Sequence, residues 1–376
     1  MTQNKTNKVS NVPPLRFPEF SGEWEKCQLG DITVNFSRRN KEGIDYPMFS
    51  VTNDRGFVPQ SEQFEDREMI GTDIKAYKII HNGEFAYNPA RINVGSIAKY
   101  NGVEDCMISS LYVCFDVDRK RINSEWFFHL LKTSKMNFYY NLNGEGGVRI
   151  YLFYPNFARI KSSYPTKAEQ QKIADLFNLL TKRIETQIRV IDKLESLIKG
   201  IRATVFNNVQ PNTKLGEIAD IYQPQTIAST ECNRGQYLVF GANGVIGRYE
   251  QYNHEQPQIC ITCRGNTCGT VNFSEPFSWI TGNAMVINID NNKEVNKRYL
   301  FHYLSTQNFH HIISGSGQPQ IVRSPLLKFP IYLPSMQTQV KLAEMLDLLR
   351  CRLKTEQDIL EKYQQQKAYL LQNMFI

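Results

Sequence analysis

The sequence predicts an α+β protein built by duplication, with a strand-rich mixed α/β block and one long helix, then a second block and a second helix. Three observations carry that prediction. Tyr164–Phe206 falls without a gap on Leu333–Phe375, at an offset of 169 residues. Both stretches repeat apolar residues in alternating steps of four and three. The residues between them hold short β-prone runs cut by Gly, Asn and Pro.

Residues 1–14 begin Met-Thr-Gln-Asn-Lys-Thr-Asn-Lys, polar and without the apolar core of a secretory signal, and read as a disordered tail. The first block covers residues 15–163. Its entry, Trp24 through Leu29-Gly30-Asp31-Ile32, returns as Leu215-Gly216-Glu217-Ile218 in the second block, residues 209–332. Ile79-Ile80, Ser96–Tyr100 and Leu111–Val117 are the β-prone runs of the first block. Ile259–Thr262, Thr270–Phe273 and Ala284–Ile289 take their places in the second. Each block then holds a short helix, Ser124–Lys132 and Lys297–Leu304, with Phe128-His129 matching Phe301-His302. A glycine loop follows in each, Gly144–Ile150 and Gly315–Ile321.

The first long helix lies in residues 164–208, the second in 333–376. Pro165 meets Pro334, Gln170 meets Gln339, Arg183 meets Arg352 and Phe206 meets Phe375. The first seam is Ile173, Phe177, Leu180, Ile184, Gln187, Ile191, Leu194, Ile198, Ile201 and Val205. On the same phase the second reads Leu342, Leu346, Leu349, Leu353, Glu356, Leu360, Tyr363, Lys367, Leu370 and Met374. Such heptad seams belong to helices that pack on a partner helix, and two in one chain most simply pack on each other. Ordinary bundle helices with unrelated partners are the plainer alternative. Thr166 and Glu169 form a capping-box pair at the first start; Ser335 with Thr338 gives a weaker one. Each helix of about 40 residues spans roughly 60 Å. Gln187 and Glu356 share one seam position, so an antiparallel pairing brings them together as a polar layer near the crossing.

The 376 residues suffice for two or three domains, and 41% apolar with 12% aromatic content is globular. No apolar run approaches the ~20 residues of a membrane span. Eight irregularly placed cysteines point to reduced thiols and a cytoplasmic location. A net charge of +7, from 44 basic and 37 acidic residues, permits nucleic acid as a partner without demanding it.

Catalytic motifs are weak. Cys260-Ile-Thr-Cys263 with Cys268, and Cys232 or His254 nearby, lacks the second close pair of a zinc site; packed strand cysteines are the better reading. Asn88-Pro89-Ala90 lacks the second proline and the aromatic of the amino-methyltransferase motif. Gly144-Glu-Gly-Gly has no Lys-Ser/Thr after it and is not a phosphate-binding Walker loop. The histidines on or beside the short helices read as surface or packing residues. Binding has better support. Arg38, Arg39, Lys41, Asn53, Arg55, Arg91 and Asn93 fall in turn-like stretches of the first block. Gln223, Gln225, Thr226, Asn243, Arg264 and Asn266 do so in the second. The glycine loops and their surroundings add Arg149, Gln318, Gln320 and Arg323, and the run after Gly244 adds Arg248. Arg, Lys, Asn and Gln are the side chains that clamp phosphates and read base edges.

Taken together, the repeated Leu-Gly-Asp/Glu-Ile entry, the glycine loops and the two helix openings resemble the specificity subunit of Type I restriction–modification enzymes, over essentially the whole chain. The ending Leu370-Leu-Gln-Asn-Met-Phe-Ile376 is similar to that family's as well. The resemblance implies two target-recognition domains separated by long helices in an antiparallel coiled coil, related by an internal pseudo-two-fold repeat. It implies that each domain reads half of a bipartite double-stranded DNA target, and that the helix pair sets the spacer. Two methyltransferase subunits and the restriction–translocase subunits are the implied partners; S-adenosylmethionine, ATP and Mg belong to them, and this chain carries no cofactor and no catalysis of its own. Two other readings remain: the recognition part of a fused restriction–methylation enzyme, and a coiled-coil protein scaffold.

Overall fold

A computed structural model describes residues 11–63, 74–147, 150–207, 209–241, 243–315 and 317–376. The chain forms two compact units: Met1–Thr186 with Leu360–Ile376, and Gln187–Ile359. The unit boundaries cut both long helices, so each unit contains one block and part of each helix.

In unit 1 the strands are β1 (Glu25–Gln28), β2 (Thr33–Phe36), β3 (Phe49–Thr52), β4 (Gly56–Pro59), β5 (Lys78–Ile80), β6 (Phe85–Tyr87), β7 (Ile97–Lys99), β8 (Cys106–Ile108), β9 (Val113–Val117) and β10 (Lys161–Tyr164). The helices are α1 (Gln60–Gln63), α2 (Ser124–Leu131), α3 (Ser134–Asn143), α4 (Tyr154–Ala158) and the first part of α5 (Lys167–Phe206). The central antiparallel sheet runs β2-β9-β6-β7, beside the pairs β3–β4, β5–β8 and β1–β10.

Unit 2 holds β11 (Thr213–Lys214), α6 (Leu215–Ile218), β12 (Asp220–Tyr222), β13 (Tyr237–Gly241), β14 (Gly244–Tyr249), β15 (Ile259–Thr262), β16 (Val271–Phe273), β17 (Trp279–Ile280) and β18 (Ala284–Asn288). After these come α7 (Lys297–Leu304), α8 (Arg323–Leu327), β19 (Pro330–Ile331) and most of α9 (Met336–Asn373). Its central sheet, β12-β18-β15-β16, repeats the order of the first. One match read from sequence shifts here. Ile259–Thr262 corresponds not to Ile79-Ile80, which lies in the separate β5–β8 pair, but to β6. Phe85-Ala86-Tyr87 is buried on both faces, so no alternation betrays it.

The repeated entry has a packing reason. Leu29 and Leu215 are fully buried, and their amides donate to Ile160 O and Phe329 O, both at 2.9 Å. A Cβ on Gly30 would lie 3.0 Å from the Ala158 Cβ, and one on Gly216 would lie 2.8 Å from Leu327 O. Only glycine lets this turn rest against the short helix α4 or α8. Asp31 and Glu217 accept from the backbone amides of Gln28 and Lys214, at 2.7 and 3.2 Å, and close the turn.

At the head of each long helix a buried glutamine ties it to the short one. Gln170 donates to Pro165 O and Arg121 O and accepts from Asn123 N. Gln339 repeats this with Pro334 O, Glu294 O and Asn296 N. Asn123 and Asn296 are in turn the N-caps of α2 and α7. The capping box expected at Thr166 is half made: Glu169 N donates to Thr166 Oγ1 at 3.4 Å. The Glu169 carboxylate turns away to accept from Arg16 Nε and Nη2 at 2.7 and 2.6 Å. The N-terminal strap is held too, with Trp24 N donating to Asn11 O at 2.9 Å and Ser163 to Asn11 Oδ1 at 3.1 Å; residues 11–14, assigned to a tail from sequence, therefore include packed backbone.

α5 and α9 pair antiparallel within each unit. In unit 1 the Phe177 ring lies tilted against Phe375 and Arg183 lies over Tyr363. In unit 2 Gln187 meets Glu356, and Phe206 joins the core that holds Ala343 and Leu346. Every seam residue named above is buried or half-buried, while most of their neighbours are exposed. A core phenylalanine stands at the end of α5 and just past the end of α9: Phe206 against Tyr299 and Tyr303, and Phe375 against Trp126 and Phe177.

Candidate nucleic-acid interface

In both units the loop leaving the inner strand of the central sheet carries the glycine loop across it. Leu152 N donates to Pro89 O, and Ile321 N to Cys263 O, each at 3.0 Å. Glu145 and Tyr151 exchange two backbone bonds, as do Ser314 and Gln320. This shared bracket places exposed loops, different in sequence in the two units, at one end of each sheet.

In unit 1 the β3–β4 turn joins the bracket. Thr52 Oγ1 accepts from Arg55 N at 3.1 Å and donates to Gly56 O at 3.2 Å, leaving Asn53, Asp54 and Arg55 exposed at the tip. The tip rests on the loop after β6. Ser96 donates to Val51 O at 2.7 Å, and a Cβ on Gly95, whose φ is +102°, would lie 3.2 Å from Asn53 O. The result is a cleft of about 660 Å³ lined by Asn53, Asp54, Arg55, Asn88, Arg91 and Tyr112, among others.

Three sequence candidates, Asn53, Arg55 and Arg91, therefore meet, although Arg91 is 36 positions beyond Arg55. Others do not. Arg38 makes a two-pronged pair with Glu84 at 2.9 Å for each prong and lies over the Phe36 ring, so its guanidinium holds the fold rather than facing a ligand. Asn93 donates to Asn141 Oδ1 at 3.1 Å on α3. Arg39 and Lys41 are exposed but sit beside β5, where Arg39 bridges Lys78, and do not line the cleft. Arg149 lies outside the described residues. Asp54, Asn88 and Tyr112 were missed; Asp54 could have been found from its place in the Thr52–Gly56 turn, whereas nothing local marks Tyr112.

In unit 2 several separate segments converge on Thr262-Cys263-Arg264. Gln223 donates to Cys263 Sγ at 3.1 Å and Gly282 O at 3.0 Å. Thr262 donates to Asn243 Oδ1 at 3.4 Å. Arg264 bridges Gln320 through the backbone, and Gly265 N donates to Pro319 O at 3.0 Å. Asn266 and Gln318 are exposed on these two loops. Gln225 and Thr226 are exposed on the Gln223 loop, which lies so close to Gly282 that a Cβ there would sit 2.5 Å from Thr226 Oγ1. Arg323 is otherwise engaged: its Nε donates to Ile221 O at 2.6 Å and fastens α8 to β12. Arg248 donates to Gln236 O at 2.7 Å, on the β13–β14 hairpin.

His129, His302, Cys260 and Cys263 are packing residues. His129 faces Asn178 at 3.2 Å and His302 faces Asp347 at 2.9 Å, and burial pushes both imidazoles down to about 4. Burial pushes the Cys260 thiol up to about 12, and Cys263 donates to Asn283 O at 3.1 Å. Among the described residues no group of three or more His, Cys, Asp or Glu is placed to hold a metal ion, and no helix is long and apolar enough to cross a membrane.

Comparison with known proteins addresses the whole arrangement. Residues 21–196 and 209–365 match the family described as Type I restriction modification DNA specificity domain. The chain is 28% identical over 111 residues to the specificity subunit of the Type I restriction enzyme EcoprrI of Escherichia coli, covering 30% of this chain and 27% of that one. It is 24% identical over 196 residues to the HindI specificity subunit of Haemophilus influenzae, covering 50% and 42%. The matches thus span well under two thirds of either relative. In fold, it is similar to the crystal structure of a Type I restriction–modification S subunit from M. genitalium, with a TM-score of 0.68 at 15% identity over 97% of this chain and 99% of that one.

Proposed function

Since the chain belongs to the Type I restriction modification DNA specificity domain family, we propose that it is the DNA-specificity subunit of a Type I restriction–modification complex. Each loop cluster reads one half of a bipartite duplex target. The observation that carries this reading is one frame bearing two unlike surfaces. The sheet order, the Leu-Gly turn, the glutamine tie and the bracketed glycine loop recur. The exposed residues on the brackets do not: Asn53, Arg55 and Arg91 in unit 1 stand against Gln223, Asn243, Arg264 and Gln320 in unit 2. A frame conserved under divergent loops suits a reader of two different short sequences.

The chain recognises and does not catalyse. Two methyltransferase subunits dock on it, restriction–translocase subunits join them, and S-adenosylmethionine, ATP and Mg are used by those partners in the cytoplasm. The helix pair fixes the gap between half-targets. Half-sites one turn apart are about 34 Å from centre to centre, and helices of about 60 Å are long enough to hold that spacing.

The test is methylation-site sequencing of DNA from cells carrying this chain with a cognate Type I methyltransferase subunit. Two unlike half-sites separated by a fixed gap are expected, and lengthening both helices in step widens the gap. Assembled, folded subunits that methylate nothing would leave the protein-scaffold reading in front. Methylation by the purified chain alone would favour a fused enzyme.

A further inference from the structure

Resting on that reading, we infer that the unit 1 cleft reads one G·C pair as a whole, with Arg91 on the guanine and Asp54 on the cytosine. The inference comes from counting what the cleft still offers. Among the described residues the Arg91 guanidinium makes no ion pair and no hydrogen bond, so its fork of N–H donors is unspent and exposed. Arg55 is the weaker candidate, because it already lies 3.8 Å from Glu62. Asn88 Oδ1 accepts from Ala90 N at 3.0 Å, which leaves the amide to present N–H. The Tyr112 hydroxyl accepts from Val51 N at 3.2 Å, so its own proton is free to be donated. The donors are thus several. The one carboxylate on the cleft is Asp54, exposed at the hairpin tip. The amides of its own turn hold that carboxyl below the usual aspartate range, so it accepts at neutral pH.

Such a set complements one base pair. In the major groove guanine shows two acceptors, N7 and O6, suited to a forked guanidinium, and its cytosine shows the N4 amino donor, suited to a carboxylate. An A·T pair opposes both ends, because adenine N6 meets Arg91 donor to donor and thymine O4 meets Asp54 acceptor to acceptor. The unit 2 cluster has a different composition, with the amides of Asn243 and Gln320 beside Arg264, and it serves as the internal control.

The experiment compares methylated motifs for the wild type, Arg91→Ala, Arg91→Gln, Asp54→Asn and Gln320→Ala, each assembled with the cognate methyltransferase subunit. Arg91→Ala should relax one G·C position in one half-site by about tenfold or more, with the other half unchanged. Asp54→Asn should weaken the same position, and Arg91→Gln should move it towards A·T. Gln320→Ala should act only in the other half. Arg91 variants with an unaltered motif would overturn the inference. So would effects of Arg91 and Asp54 at different positions, or a uniform loss across all sites in a folded variant, which would mark a phosphate contact. A wild-type motif that is not split would instead overturn the function proposed above, so the two failures are distinguishable.

Discussion

The two units share a backbone frame and differ in what they ask of the same positions. Glu169 and Thr338 are equivalent by the 169-residue offset. In unit 1 Glu169 is fully buried and accepts from Arg16 at 2.7 and 2.6 Å and from Trp24 Nε1 at 3.3 Å. In unit 2 Thr338 is exposed and, among the described residues, its side chain meets the Ser335 hydroxyl. The difference follows from what precedes each block. α5 runs almost directly into Leu215, whereas Leu29 is reached through an extended strap whose Leu15 N donates to Asn373 O at 2.9 Å. Only the strap needs an anchor. The largest predicted contrast comes from here. Glu169→Ala takes away the buried carboxylate and leaves the Arg16 guanidinium with the Gly22 and Ser21 carbonyls, which should cost about 1.5–3 kcal/mol. Thr338→Ala should stay within about 0.5 kcal/mol. Urea unfolding of the full chain measures both, and equal costs would dissolve the contrast.

The histidines sharpen the comparison in the opposite sense, because a matched position keeps its residue and changes its neighbour. His302 Nε2 donates to the Asp347 carboxylate, which leaves Nδ1 as a buried acceptor without a partner among the described residues. Protonation would place an N–H there with nothing to receive it. His129 faces the neutral Asn178 instead. Both rings have folded-state values near 4, below the unfolded value of about 6.5. Their contribution is therefore complete above pH 6.5 and is lost as pH falls towards 4, by up to about 3 kcal/mol each. Asp347 supports the protonated ring, so Asp347→Asn should move the His302 titration to still lower pH. His129 should be unmoved. Imidazole resonances followed against pH give the answer, and an upward or absent shift at His302 would mean that the carboxylate has no hold on the ring.

How much was legible in the sequence depended on periodicity. The long helices were, because a heptad seam over some 40 residues leaves few alternatives, and the seam residues from Ile173 to Val205 are the ones turned inward. Of the short helices, α2 and α7 were legible from their apolar runs, whereas α3, α4 and α8 were not. β6 was not, since three consecutive buried residues carry no alternation. The site was only partly readable. Asn53 and Arg55 announce themselves within a turn, but that Arg91 joins them is decided by long-range pairing, through Ser96 to Val51. Arg38 was misread for the same reason. Its partner Glu84 is 46 residues away, and an arginine beside an arginine looks like a free basic patch until the acid that neutralises it is known. Composition cannot tell a spent guanidinium from an available one.

Gln187 and Glu356 are the polar interruption common to both seams, and they test whether the repeat is more than a packing convenience. Gln187 Nε2 donates to Glu356 O at 3.0 Å and to Glu356 Oε2 at 2.5 Å, while Arg352 pairs with the other carboxylate oxygen. Glu356 is 4% exposed, so its charge is sheltered and its hydrogen bonds are not easily replaced by water. An amide bonded to a sheltered carboxylate is worth about 1.5–3 kcal/mol when one partner is removed. A double-mutant cycle on Gln187→Ala and Glu356→Ala should therefore return a coupling of at least about 1 kcal/mol. Replacing both by leucine should leave the unfolding midpoint unchanged or raised, because a seam apolar throughout no longer desolvates a charge. That variant would also lose the layer that makes one register better than its neighbours. In the assembled complex it should methylate the usual motif with a less strictly fixed gap. A coupling near zero, together with an unaltered gap, would reduce the pair to an incidental contact.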